Sequence, residues 1–156
     1  MRRWIVYTLI MGLVFLTSSA EKTDVGELKP VELLYIRYSD TGTVRVETDT
    51  GDLGEGENLE DALSDLKATA NGNIFLDTAD YLVMNQNAVT LMPQLWEILR
   101  PAIQVCLGTE AEEGTVEFLS AHKPGVTLNN IRAGGAALPV LKRIEGRYRI
   151  EYESDF

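Results

Sequence analysis

The segment DTGDLGEGENLEDALSDL, residues 49–66, reads as a glycine-rich acidic loop that opens onto a short amphipathic helix. Its two halves divide at Asn58. Ahead of it Gly51, Gly54 and Gly56 are interleaved with Asp52, Glu55 and Glu57, and glycine reaches backbone angles closed to other residues, so in this loop the chain can turn sharply or approach another group closely. Behind it Leu59, Ala62, Leu63 and Leu66 recur at helical intervals and predict one buried stripe. Asn58 is a good N-cap with Asp61 three residues on, Glu60 and Asp61 suit the positive end of a helix dipole, and Asn71-Gly72 is a fitting stop.

A glycine loop leading into a helix is also how phosphate sites are built. Here Asp52, Glu55 and Glu57 would repel a phosphate, and no Gly-Lys-Ser or Gly-Lys-Thr ending supplies a lysine. The carboxylates of Asp49, Asp52, Glu55 and Glu57 are candidate metal ligands, because calcium gathers several oxygens, but their spacing does not fit an EF-hand. The other reading of the same residues is a solvated turn whose acids cap the helix.

Towards the N-terminus, Val31 to Tyr38 and Thr43 to Thr48 alternate bulky and polar side chains on either side of Ser39-Asp40-Thr41-Gly42, which predicts a β-hairpin. Residues 21–30 form a polar lead-in. Residues 1–20 have the form of a signal peptide: Arg2 and Arg3, an apolar run from Trp4 to Leu16, then Ser18-Ser19-Ala20. The apolar run is shorter than the roughly 20 residues that span a bilayer, so membrane attachment is expected only through this segment, were it left uncleaved. Residues 31–156 are expected to be a single domain with one core. Loss of Arg2 and Arg3 leaves 12 basic residues of the original 14 against 24 acids, a change in net charge from −10 to −12. Such a field disfavours nucleic acid and anionic lipid and suits cationic partners. With Cys106 as the one cysteine, an internal disulfide and a thiolate metal site are both excluded.

Towards the C-terminus, strands and helices alternate. Asn73 to Leu76 and Tyr81 to Met84 are apolar runs interrupted by Asp77-Thr78-Ala79-Asp80, either one bent strand or two pieces. Asp77 and Asp80 are the candidate catalytic pair, because open α/β sheets place their sites at strand ends and two carboxylates can act as acid and base; the reading preferred for them is that Asp77 closes a turn and Asp80 is solvated or caps a neighbour. Asn87 to Leu99 predicts a helix with Val89, Met92, Leu95, Trp96 and Leu99 on one face, ended by Pro101. Ile103 to Leu107 predicts an interior strand that buries Cys106, and Glu110 to Ala121 a further helix closed by His122, Lys123 and Pro124-Gly125. Thr127 can cap one more short helix. Leu138 to Ile144 and Arg147 to Tyr152 predict a second hairpin about Glu145-Gly146, whose Lys142, Arg143, Arg147 and Arg149 are the one basic region. The fold class expected from this order is α/β: a single mixed sheet with helices packed on it and a β-hairpin at each end.

From Thr48 to Gly108 the order of features resembles the first domain of the spore germinant-receptor C-subunit family, Ger(x)C. The residues that carry the resemblance are Gly54-Glu55-Gly56-Glu57-Asn58-Leu59-Glu60-Asp61-Ala62-Leu63, then Ile74-Phe75-Leu76, Tyr81-Leu82-Val83-Met84, Leu95-Trp96-Glu97-Ile98-Leu99-Arg100 and Ile103 to Leu107. The family's members are longer lipoproteins, whereas no cysteine follows Ala20 here, and Asp77-Thr78 stands where a histidine is common. The resemblance implies a non-catalytic accessory or binding domain, secreted or held at the envelope of a spore-forming bacterium.

The functional expectation is therefore an extracytoplasmic binding domain for a protein or small molecule, possessing no cofactor. The alternatives are a carboxylate-dependent hydrolase working through Asp77 and Asp80, and a calcium-stabilised domain built on Asp49, Asp52, Glu55 and Glu57.

Overall fold

Apolar side chains occupy every position from Leu33 to Ile36, and all four are buried, so this strand is covered on both faces and lies inside a sheet. The computed structural model describes residues 28–109, 112, 114–134 and 136–152; the expected signal peptide and the lead-in through residue 27 lie outside the described residues. The strands are β1 (Leu28–Pro30), β2 (Leu33–Tyr38), β3 (Val44–Thr48), β4 (Leu53–Gly56), β5 (Asn73–Phe75), β6 (Tyr81–Met84), β7 (Gln104–Gly108), β8 (Val140–Ile144) and β9 (Arg147–Glu151). The helices are α1 (Leu59–Thr69), α2 (Met92–Ile98), α3 (Thr115–Ala121) and α4 (Leu128–Arg132). Among the described residues no helix is long and apolar enough to cross a membrane.

Seven strands form one mixed sheet in the order β4-β3-β2-β6-β7-β8-β9. Its centre, β2-β6-β7-β8, is parallel, and antiparallel hairpins flank it on both sides. The α/β class and both hairpins are as expected from the sequence. A second, two-stranded parallel sheet pairs β1 with β5, so Lys29 and Pro30 belong to a strand and not to the lead-in, and the apolar runs before and after Asp77 are two strands in different sheets.

Helices cover the main sheet unequally. One face carries the larger core, where Leu34, Ile36, Val44, Val46, Leu82, Met84 and Val105 meet side chains of α1, α2 and α4. On the other face α3, alone among the described helices, sets Leu119 among Tyr81, Val83, Cys106 and Leu141.

Residues 53–56, expected as a loop, are strand β4, and the glycines serve contact, not turning. A Cβ on Gly54 would run into the carbonyl of Ala62 and stand 2.6 Å from the Cβ of Leu66; one on Gly56 would stand 2.5 Å from the nitrogen of Ala62. Bare backbone lets α1 settle onto β4 and bury Leu59, Ala62, Leu63 and Leu66, each leucine contributing about 1.5–3 kcal/mol. The turn itself falls to Gly51, at φ +82°. Helix α1 starts as read: Asn58 accepts the backbone N–H of Asp61 at 2.9 Å and donates to its carboxylate at 2.7 Å. It also closes the sheet's edge, since the Glu55 N–H donates to Asp65 and the Thr69 hydroxyl donates to the Leu53 carbonyl, both at 2.9 Å.

Two helices are shorter than the periodicity predicts. Residues 86–91 wind as a 3-10 turn, and α2 begins at Met92, where Pro93 suits a first helical turn. Helix α3 starts at Thr115 because Gly114, at φ +87°, is left-handed and cannot continue a helix back towards residue 110.

Candidate functional site

Because α3 has only seven residues and sits over β6, β7 and β8, no helix among the described residues covers the same face of β2 and β3. A groove of about 500 Å³ runs there, between the β2–β3 hairpin and the start of α3. Leu33, Tyr35 and Val116 provide its apolar surface, and Glu32, Glu47, Asp49, Glu112 and Glu117 its rim.

Each acid is placed by a different element. Glu32 stands just before β2, and Asp49, just after β3, accepts the backbone N–H groups of Glu32 and Leu33 at 3.1 and 3.2 Å. Asp49 thus ties the start of β2 to the end of β3. Glu47 is one of the half-buried alternating positions of β3, on the face away from Val44, Val46 and Thr48, with Arg45 at 3.9 Å. Glu112 donates its backbone N–H to the Thr115 hydroxyl at 3.0 Å and pairs through its carboxylate with Arg143. Glu117 projects from the first turn of α3. Below them the Tyr35 hydroxyl donates to the Thr109 carbonyl, and Thr115, fully buried, donates to the Tyr148 hydroxyl at 2.9 Å.

Arg45 and Arg143 thus answer Glu47 and Glu112, while the exposed carboxylates of Glu32 and Glu117 have no ion pair among the described residues. Acids lining one side of a concave surface focus a negative field, which favours a cation entering the groove. They ring the groove without converging: among the described residues no group of three or more His, Cys, Asp or Glu side chains is arranged to hold a metal ion.

Of the candidate catalytic and metal-ligating carboxylates read from the sequence, only Asp49 reaches this groove. Asp52 turns to β1, bonding Lys29 Nζ at 2.6 Å and the Thr50 hydroxyl at 2.7 Å, and the Lys29 hydrogen bond, followed by that from Thr50, holds its carboxyl below the usual value. Glu55 pairs across to Arg45 at 3.5 Å, and Glu57 is exposed. Asp80 stands immediately before β6, the amino end of the parallel strands and the opposite end from where open α/β sheets bind, and pairs with Arg100. Asp77 is exposed in a single 3-10 turn. Between them Thr78 is a joint of the fold: its hydroxyl accepts the Val31 N–H at 2.9 Å.

The remaining reactive groups are packed away or paired. Cys106 is 1% exposed and burial pushes its thiol up to about 12. His122 stacks on Phe118 with ring centroids 4.7 Å apart, at the end of α3. Trp96 lies against Pro101 and Leu128, where the remaining hollow is about 10 Å³, too small for a ligand. At the carboxyl ends of β6 and β7 a hollow of about 360 Å³ is lined by Asn85, Gly108, Lys142 and Arg143, but Lys142 is held by Glu151 at 2.6 Å and Arg143 by Glu112.

Glu32, Glu47, Glu112 and Glu117 were not distinguished in the sequence. The available signal was that both strands of the first hairpin carry a glutamate at a polar position of the alternation, Glu32 and Glu47, with Asp49 directly after. Compared with protein-family models, curated proteins and solved structures, the chain matches none.

Proposed function

We propose that this chain is a non-catalytic binding domain acting outside the cytoplasm, and that the groove between the β2–β3 hairpin and α3 receives a cationic group of a partner protein. The observation that carries this reading is a groove of about 500 Å³ bordered by five carboxylates, three of which, Glu32, Asp49 and Glu117, have no ion pair among the described residues. A lysine or arginine side chain fits it in both respects, its apolar stem against Leu33, Tyr35 and Val116 and its charge at the rim. The likeness to germinant-receptor C-subunits, together with the signal-peptide form of residues 1–20, supports a place at the envelope of a spore-forming bacterium.

The test is calorimetric titration with a short lysine-rich peptide at low and high salt. Binding is expected, weakening as salt rises, and Glu32→Gln/Glu117→Gln is expected to weaken it about tenfold, the loss of two exposed charge contacts. An unaltered Kd in that variant would remove the groove from the proposal.

A further inference from the structure

The two edges of the main sheet are finished differently. At β4 the outward groups are spent on α1, through Asp65 and Thr69. At β9 no strand follows among the described residues: it is the last in the sheet order, and its one partner there is β8.

The hairpin's geometry fixes which groups of β9 face outwards. Ile144 is opposite Arg147 across the two-residue turn Glu145-Gly146, both at positive φ (51° and 77°), so this pair exchanges both backbone bonds. Alternation then turns Arg149 and Glu151 towards β8 and leaves the N–H and carbonyl groups of Tyr148 and Ile150 directed away from it. Such an edge is a template for another strand.

We propose that two copies of this chain pair antiparallel through β9, with Ile150 opposite Ile150 of the second copy on the two-fold axis. The register follows from two requirements. Outward-facing residues must meet outward-facing residues, and like charges must not oppose one another. Centring on Arg149 would set Arg149 against its own copy. Centring on Ile150 sets Tyr148 opposite Tyr152 on the α3 face, and Arg149 opposite Glu151 on the other, each twice by symmetry. Tyr152, 60% exposed although its hydroxyl donates to the Pro124 carbonyl at 2.9 Å, gains a neighbour in this arrangement. The basic hairpin is also where two chains of net charge −10 or below repel least.

Sedimentation equilibrium of the purified protein over a wide concentration range tests this, with thermal melts followed by circular dichroism as the check that each variant folds. A reversible monomer–dimer equilibrium is expected. Arg149→Glu places Glu against Glu151 twice, Glu151→Arg places Arg against Arg149 twice, and each is expected to weaken self-association by about tenfold or more. Mixed together, the two variants restore both opposite-charge pairs, so the mixture is expected to associate more tightly than either variant alone. A wild-type protein that stays monomeric at every concentration overturns the proposal. So do single variants that dimerise like wild type, or a mixture of folded variants that associates no better than its components.

Discussion

Asn85 holds Tyr38 from both sides: its Oδ1 accepts the Tyr38 backbone N–H at 3.0 Å and its Nδ2 donates to the Tyr38 carbonyl at 2.9 Å. Tyr38 ends β2 and Asn85 follows β6, and these strands run parallel, so one side chain continues the ladder past the point where the backbones part. The same Oδ1 accepts the Ala88 N–H at 3.1 Å and starts the 3-10 turn before α2. Asn85→Ala leaves the part-buried Tyr38 N–H and carbonyl without their partner, while the Ala88 N–H keeps the backbone carbonyl of residue 85 at 3.1 Å, and is expected to cost about 2 kcal/mol in urea unfolding. Asn85→Asp keeps the acceptor but sets a carboxylate against the Tyr38 carbonyl, so its deficit is expected to shrink once acid protonates it.

The glycines of residues 51–56 separate contact from conformation. Gly54→Ala forces α1 off β4 and is expected to cost about 3 kcal/mol or more, since the obstacles are the Ala62 carbonyl and the Leu66 backbone, which cannot rotate aside. Gly51→Ala meets nothing within 4 Å and suffers only from its φ of +82°, about 1–2 kcal/mol. Parallel urea denaturation of the two variants checks the ranking. The reverse order would mean that α1 does not rest on β4 in solution.

That contrast also explains what the sequence made legible. The Asn58-to-Asp61 cap, the leucine spacing of α1 and the two hairpins are local patterns, and local patterns were enough. Gly54 and Gly56 look the same in sequence whether they turn the chain or admit a helix, and only the tertiary contact distinguishes the two. Strands β1 and β5, three residues each, are too short to show a period. The groove escaped because its acids come from separate segments, one from just before the first hairpin, one from its second strand, one from the turn after it and two from around the start of α3, and nothing local links Glu32 to Glu117.

Lys29 and Asp52 connect the small sheet to the main one, and their ion pair gives the fold an acid-sensitive joint. The Asp52 carboxyl titrates below its ordinary value of 3.8, chiefly because of the Lys29 hydrogen bond. A carboxyl with a lowered folded-state pKa binds fewer protons folded than unfolded, so its stabilisation is fully present above 3.8 and drains as pH falls through the folded value. The stability gap between wild type and Asp52→Asn is therefore expected to be constant at neutral pH and to narrow below about pH 4. Chemical denaturation across that range measures it, and a gap that does not change with pH would show that Lys29 does not hold Asp52 in solution.

Cys106 reports on whether α3 is seated. It lies on β7 opposite Val83 of β6 and packs in one cluster with Leu119 of α3. With its thiol pushed up to about 12 and 1% exposed, it is both protonated and covered at neutral pH. Ellman's reagent is expected to find no reactive thiol in the native protein and one per chain in concentrated urea. Leu119→Ala removes the side chain that presses α3 against the sheet, a core truncation costing about 2–5 kcal/mol. If labelling proceeds through local lifting of α3, that variant is expected to react faster at denaturant concentrations too low to unfold the rest. If labelling instead tracks global unfolding, its rate will follow the whole-protein transition in both proteins, and α3 and the central strands then open as one unit.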